Sequence, residues 1–196
     1  MPGITVDLNG TRIAAIDLAA LHVMTVSVHG ALDSEDLATL DASGGAFGNG
    51  GSGYRIWIDQ RPLHAGDTVR VTFSRRGDGA DPGHTIAQRY PDEAPCTRTD
   101  FTPDAQMAAE LLARPRLREA FLVQAWTSSG QQASAASDER HTRFQFHVAW
   151  NWAEADQVRV ALSTCGLDHV LARAGAAQHL QTTLTPGASA VFTLVR

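Results

Sequence analysis

A chain of 196 residues, 43% hydrophobic and 19% charged, is long enough to bury a core without metal or disulfide staples and too apolar to remain disordered. Its formal net charge is −5 and its basic residues are all arginine, scattered singly or in pairs such as Arg75–Arg76, which argues against the broad phosphate-neutralising surface that nucleic-acid binding needs. No window approaches about 18 uninterrupted apolar residues and the start carries no basic, apolar leader, so neither a membrane span nor a signal peptide is expected, and the expected location is the cytoplasm.

In chain order, Ile4, Val6 and Leu8 alternate with polar residues, and Ile13 and Ala15 resume the alternation after Asn9-Gly10. Asn-Gly between two such runs predicts a hairpin, because both residues tolerate the positive φ of a type I′ turn. Leu21–Val28 is dense in β-branched residues and reads as a buried strand. A Gly-rich loop over 43–53 leads into an alternating strand from Tyr54 to Asp59. Leu63–Asp67 then makes a turn before a strand that places Val69, Val71 and Phe73 on one face. Residues 75–100, rich in Gly, Pro, Asp and Arg, read as a long irregular connection.

Thr102-Pro103-Asp104 predicts a helix start, with a Thr cap, a Pro at the first helical position and an acid at the positive end of the dipole. Met107, Leu111 and Leu112 supply its apolar stripe, Pro115 ends it, and a further helical turn is expected over 116–120. Phe121–Trp126 reads as a strand and Ser128–Asp138 as a polar loop. Phe144, Phe146, Val148, Trp150 and Trp152 form the clearest period-two run in the chain, a strand with one aromatic face. Val158, Val160 and Leu162 continue the pattern, and Ala190–Val195 closes it.

The two halves echo each other. Leu63-x-x-Gly66-x-x-Val69 returns as Leu184-x-x-Gly187-x-x-Ala190, Leu21-His22-Val23 as Phe146-His147-Val148, and Ser43-Gly44-Gly45 as Thr164-Cys165-Gly166. Repeats decide architecture. The expected fold is therefore mainly β: two β-sandwich-like modules, an internal duplication related by a pseudo-twofold axis, with one short central helix. The expected domains are a β module over 1–95, a helical connector over 96–120 and a second β module over 121–196. Ile4-Thr5-Val6-Asp7-Leu8-Asn9-Gly10-Thr11-Arg12 and Leu63-His64-Ala65-Gly66-Asp67-Thr68-Val69 also resemble a group of uncharacterised bacterial β-proteins that open on I-T-V-x-L-N-G and carry an L-x-x-G-D-x-V hairpin. The resemblance covers the first ~75 residues and implies turn chemistry; it brings no activity with it.

Each tempting motif meets a structural reading. Gly48-Asn49-Gly50-Gly51-Ser52-Gly53 fits G-x-G-x-x-G, but a strand rather than a helix follows it, so no helix N-terminus meets a pyrophosphate. Arg76-Gly77-Asp78 is an adhesion tripeptide by letters alone. Asp78 and Asp81 fall short of the oxygen count a Ca²⁺ site needs, and the Asn9-Gly10-Thr11 sequon is explained by the hairpin. Cys96 and Cys165 are far apart and form no ligand pair; one disulfide or two idle thiols are the readings, the second favoured in a reducing compartment. Cys165 with Asp168 and His169 has the residue types of an activated thiol, but close neighbours in sequence rarely reach that geometry. His22 and His147 are expected at equivalent places of the repeat, where a shared metal site is the sharp reading and polar strand positions the plain one. The aromatic row ending in Trp150 and Trp152 is core, or, if those indoles are exposed, a stacking platform.

No residue is assigned a catalytic, cofactor-binding or metal-ligating role, and no cofactor is expected. The reading that results is a non-catalytic module acting through contact with a protein partner: a subunit of a larger assembly, an inhibitor, or a homo-oligomer. The alternatives are a β-sandwich that binds carbohydrate or another small ligand and, behind it, a metal-dependent hydrolase.

Overall fold

The computed structural model describes residues 2–47, 53–77, 81–93, 105–172 and 174–196. It contains twelve strands: β1 (Gly3–Leu8), β2 (Thr11–Asp17), β3 (Val23–Ala31), β4 (Ala38–Gly45), β5 (Arg55–Leu63), β6 (Thr68–Ser74), β7 (Leu122–Thr127), β8 (Gln132–Ala136), β9 (Arg143–Asn151), β10 (Val158–Cys165), β11 (Ala177–Leu184) and β12 (Ser189–Leu194). Three short helices accompany them, α1 (Ile86–Arg89), α2 (Ala105–Leu112) and α3 (Leu167–Leu171). The strands form two antiparallel six-stranded sheets, in the orders β2-β1-β6-β12-β7-β8 and β11-β10-β9-β3-β4-β5.

Both orders read the same from either end once β1–β6 are exchanged for β7–β12. Each half is a hairpin in the first sheet, a three-strand meander in the second, and a return strand to the first. The modules are therefore side-by-side halves of a sandwich, joined where β6 pairs with β12 and β3 pairs with β9. Under the relation that carries Gly66 onto Gly187, Arg70 falls on Val191, and these two are cross-strand partners. Ser27 falls on His147, and these two are partners as well. The pseudo-twofold axis thus crosses the sheets at those pairs.

Hydrogen bonds repeat the symmetry. Gly66 N–H donates to Leu194 C=O and Gly187 N–H to Phe73 C=O, both at 2.7 Å; Leu194 N–H donates to Asp67 C=O and Phe73 N–H to Ala188 C=O, both at 3.0 Å. Gly66 and Gly187 have φ of +92° and +100°, backbone positions that side chains disfavour, which is why the L-x-x-G echo is legible.

The core lies between the sheets. Alternation sends Val69, Val71 and Phe73 of β6, and Ala190, Phe192 and Leu194 of β12, against Met24, Val26 and Val28 of β3 and Phe144, Phe146 and Val148 of β9, all essentially inaccessible to water. The Phe192 ring lies 5.8 Å from that of Phe144 and 5.4 Å from that of Phe146, and Phe121 meets Phe144 edge-on at 4.9 Å. Trp150 belongs to this core at 4% exposure, its indole N–H donating to Ala155 C=O.

Several expectations need correction. Ser128–Asp138 is not a loop throughout, since it holds the edge strand β8, whose small and polar residues Gln132-Ala133-Ser134-Ala135-Ala136 carry no apolar period. The connection after Arg75 contains α1, closed by a capping box in which Thr85 and Gln88 each bond the other's backbone N–H, and a bridge from His84 to Ile56. No helical turn follows Pro115; instead Leu117 and Arg118 donate their N–H groups to Leu32 C=O. The helix is present as α2, and its predicted cap, Thr102-Pro103-Asp104, lies outside the described residues. His22 and His147 are not equivalent: His147 matches Ser27, and His22, ahead of β3, matches Thr142. Gly44 and Gly45 match Thr164 and Cys165, strand ends rather than turns and one residue out of the expected alignment.

Candidate functional site

The twofold relation makes the two ends of the central β3–β9 pair directly comparable, and they differ. At one end Leu32 N–H donates to Thr142 C=O at 3.0 Å; at the other Trp152 N–H donates to His22 C=O at 2.9 Å. The same backbone clasp therefore holds Leu32 in one half and Trp152 in the other. Leu32 is 1% exposed, and Trp152 is 63% exposed.

Leu32 packs in the core, and its end of the sandwich is also met by the segment between the halves. Leu117 and Arg118 donate to Leu32 C=O at 2.7 and 3.1 Å, and the Arg118 guanidinium reaches the carbonyls of Ser34 and Glu35. Leu111 and Leu112 of α2 line a hollow shared with Leu32. The described residues contain no counterpart over Trp152.

Around Trp152 the chain gathers aromatic rings. The His22 imidazole stands 5.5 Å from the Trp152 ring and 6.1 Å from that of Phe47, tilted by 41° and 35°. Phe47 N–H donates to His22 Nδ1 at 2.7 Å, which puts the proton of the neutral ring on Nε2 and fixes its orientation. Phe47 is 69% exposed. Tyr54, also exposed, donates its hydroxyl to Ser43 at 2.8 Å. The expected aromatic row is thus split. Phe144, Phe146 and Trp150 are core, whereas the chain turns out of β9 into a 3₁₀ turn at Trp152, with the Asn151 side chain accepting from Glu154 N–H, and this frees the indole from the sheet.

The other end carries a cleft of about 790 Å³ between the β3–β4 loop, the chain after α2, and the ends of β9 and β10. Arg143 holds Asp33 through both carboxylate oxygens at 2.8 and 2.5 Å. On the cleft floor His29 Nε2 meets Thr39 Oγ1 at 2.9 Å, and its Nδ1 lies 3.5 Å from Asp41. Asp41 in turn accepts from the N–H of Gln60, which adopts a left-handed φ of +42° beside the β4–β5 bulge. Hydroxyl, imidazole and carboxylate stand in relay order, but His29 and Thr39 are direct cross-strand partners on an open sheet face. Pairing alone explains the contact.

The remaining candidates do not assemble a site. Burial pushes the Cys165 thiol up, outweighing Arg143 nearby, and His169 bonds Asp168 at 3.0 Å rather than the sulfur, so the thiol–base pair expected there is not formed. Cys165 is unpaired, and Cys96 lies outside the described residues. Residues 48–52 and Asp78 also lie outside them. Gly53 leads directly into β5, and Asp81 is engaged with both the N–H and C=O of Ala15. Asn9 spends its carboxamide on Asp67 and on Thr68 N–H. Among the described residues no three His, Cys, Asp or Glu side chains converge as metal ligands, and no helix is long and apolar enough to cross a membrane.

Sequence reasoning missed Phe47, and it placed His22 by a false alignment. The signal that finds both is the corrected repeat, which sets Trp152 on Leu32 and asks what covers it. No family model, curated protein sequence or solved structure matches this chain.

Proposed function

We propose that the protein is a non-catalytic binding module that engages a protein partner through His22, Phe47 and Trp152. The observation that carries this reading is the 63% exposure of Trp152 at the position whose twofold mate, Leu32, is buried in the core. Large exposed aromatic residues concentrate in contact surfaces, where two rings removed from water supply several kcal/mol at small entropic cost. The module acts as an assembly subunit or as an inhibitor of its partner.

The test is affinity purification of the tagged chain from its native cell beside a Phe47→Ala/Trp152→Ala variant. The reading expects a stoichiometric partner that the double variant loses and a His29→Ala control retains. A partner retained by the double variant would place the contact elsewhere. A second reading, a carbohydrate-binding face, is favoured by the same rings because indole and phenyl faces stack on sugars. It predicts that glycans change Trp152 fluorescence in the purified protein and that Trp152→Ala abolishes the change.

A further inference from the structure

The sandwich has four edge strands: β2 and β8 in one sheet, β5 and β11 in the other. An unpaired edge exposes a row of N–H and C=O groups that another strand can complete, and proteins normally cover, charge or distort it. Three of the four edges are so managed. On β2, Ala15 C=O accepts from Asp81 N–H at 2.7 Å and Ala15 N–H donates to the Asp81 carboxylate at 3.1 Å, while Arg12 and Asp17 add charge. On β5, Ile56 and His84 exchange two bonds of 2.8 Å, and the strand also carries Pro62, a bulge and three charged side chains, Arg55, Arg61 and Arg89-paired Asp59. A bulge between Leu162 and Ser163 of β10 distorts the pairing of β11.

β8 has none of these devices. It runs Gln132-Ala133-Ser134-Ala135-Ala136 with no charge and no proline, in unbroken register with β7. The twofold relation carries Ala15, whose N–H and C=O face outward to Asp81, onto Ser134. The outward N–H and C=O of Ser134, and by alternation those of Gln132 and Ala136, take no backbone partner among the described residues.

We infer that β8 pairs antiparallel with β8 of a second copy of this chain, about a twofold axis at Ser134. This surface is distinct from the aromatic end and stands or falls independently of it. The occupant is a second copy because the strip is self-complementary: hydroxyl and carboxamide both donate and accept, whereas a charged strip would repel itself. Pairing about Ser134 sets Gln132 of one copy against Ala136 of the other, so a small residue faces the flank where Trp126, opposite Gln132 on β7, is 38% exposed. The shallow hollow of about 400 Å³ beside this edge, lined by Gln124, Trp126, Gln132 and Ser134, gives the second copy's side chains room.

The test is sedimentation equilibrium of the full chain across a concentration series, for wild type, Ser134→Pro, Ser134→Lys and Ser134→Ala. Proline removes an N–H that β7 does not use, and lysine places like charges face to face at the axis. The expected result is a reversible dimer whose Kd rises roughly tenfold or more in both variants, through the lost pair of backbone bonds in the proline variant and through like-charge repulsion in the lysine variant. It should be unchanged in Ser134→Ala and in the Phe47→Ala/Trp152→Ala variant. Circular dichroism checks that each variant is folded, and the lysine variant carries the test if proline perturbs β8. A wild-type chain that stays monomeric to sub-millimolar concentration, or a dimer that folded Ser134→Lys leaves intact, overturns the proposal.

Discussion

Asn9 and Ser128, different residues at equivalent turns, make the same bond: the Asn9 side chain accepts from Thr68 N–H at 2.9 Å and the Ser128 hydroxyl accepts from Ser189 N–H at 3.0 Å. In each case the turn residue's own N–H returns the contact, to Thr68 C=O and to Ser189 C=O, closing a two-way clasp between the hairpin and the return strand. The same chemistry is served by two residue types, because either oxygen satisfies a strand-end donor.

Removing either clasp is therefore expected to destabilise the fold by about 0.5–1.5 kcal/mol, since the freed N–H is exposed and can turn to water. Asn9→Ala is expected to cost more than Ser128→Ala, because the Asn9 amide also donates to Asp67 at 2.7 Å. Urea denaturation of the two single variants measures both, with the slope unchanged if the unfolded state is unaffected.

Gly66 and Gly187 allow a cleaner comparison. A Cβ at either position meets no atom within 4 Å, so any cost of alanine there is backbone strain alone. At φ of +92° and +100° that strain is expected at about 1–2 kcal/mol for each variant, and nearly equal for the two. Thermal unfolding of Gly66→Ala and Gly187→Ala checks this; a large difference between them would mean that the two turns relax differently.

The sequence pattern carried most of the β architecture, and for identifiable reasons. Asn9-Gly10 has the positive φ values its letters require, 53° and 80°, and Phe144–Trp150 alternates because one face is core. β4, β8 and β11 escaped notice: β8 and β11 because edge strands with small or polar residues have no apolar face to set a period, and β4 because its buried face, Ala38, Leu40, Ala42 and Gly44, is mostly small and runs into the stretch read as a glycine loop. The functional surface was legible only in part. Trp152 follows an alternating run and so reads as its last core residue, and only the backbone turn at Asn151 moves it into solvent. Phe47 sits beside a glycine tract where no periodicity exists, and its ring meets His22 solely because β4 returns alongside β3.

Phe192 tests the shared core. Its ring is fully buried between Phe144 and Phe146 on the opposite sheet, close to the Arg70–Val191 pair through which the pseudo-twofold passes, so both halves lean on it. Phe192→Ala is expected to cost about 3–5 kcal/mol, and more than truncation of a residue at the periphery of the sandwich. If the halves form one cooperative unit, calorimetry should show a single lowered transition rather than the separate melting of one half.

His147 gives a pH dependence with a definite sign. It sits on the outer face of the central strand β9 with Ser27 opposite, and partial burial lowers its pKa below the ordinary imidazole value of 6.5. In the window between 6.5 and that lowered value the unfolded chain binds a proton that the folded chain does not. Stability is therefore lost as pH falls from 6.5 through that window, and above 6.5 the group contributes no slope. His147→Asn removes the proton-binding site and is expected to flatten this part of the stability profile, after allowance for His179, whose pKa burial also lowers. NMR titration of the His147 ring protons should give a midpoint below 6.5; a midpoint at or above it would show that the strand face is wetter than the fold implies, and the predicted slope would vanish.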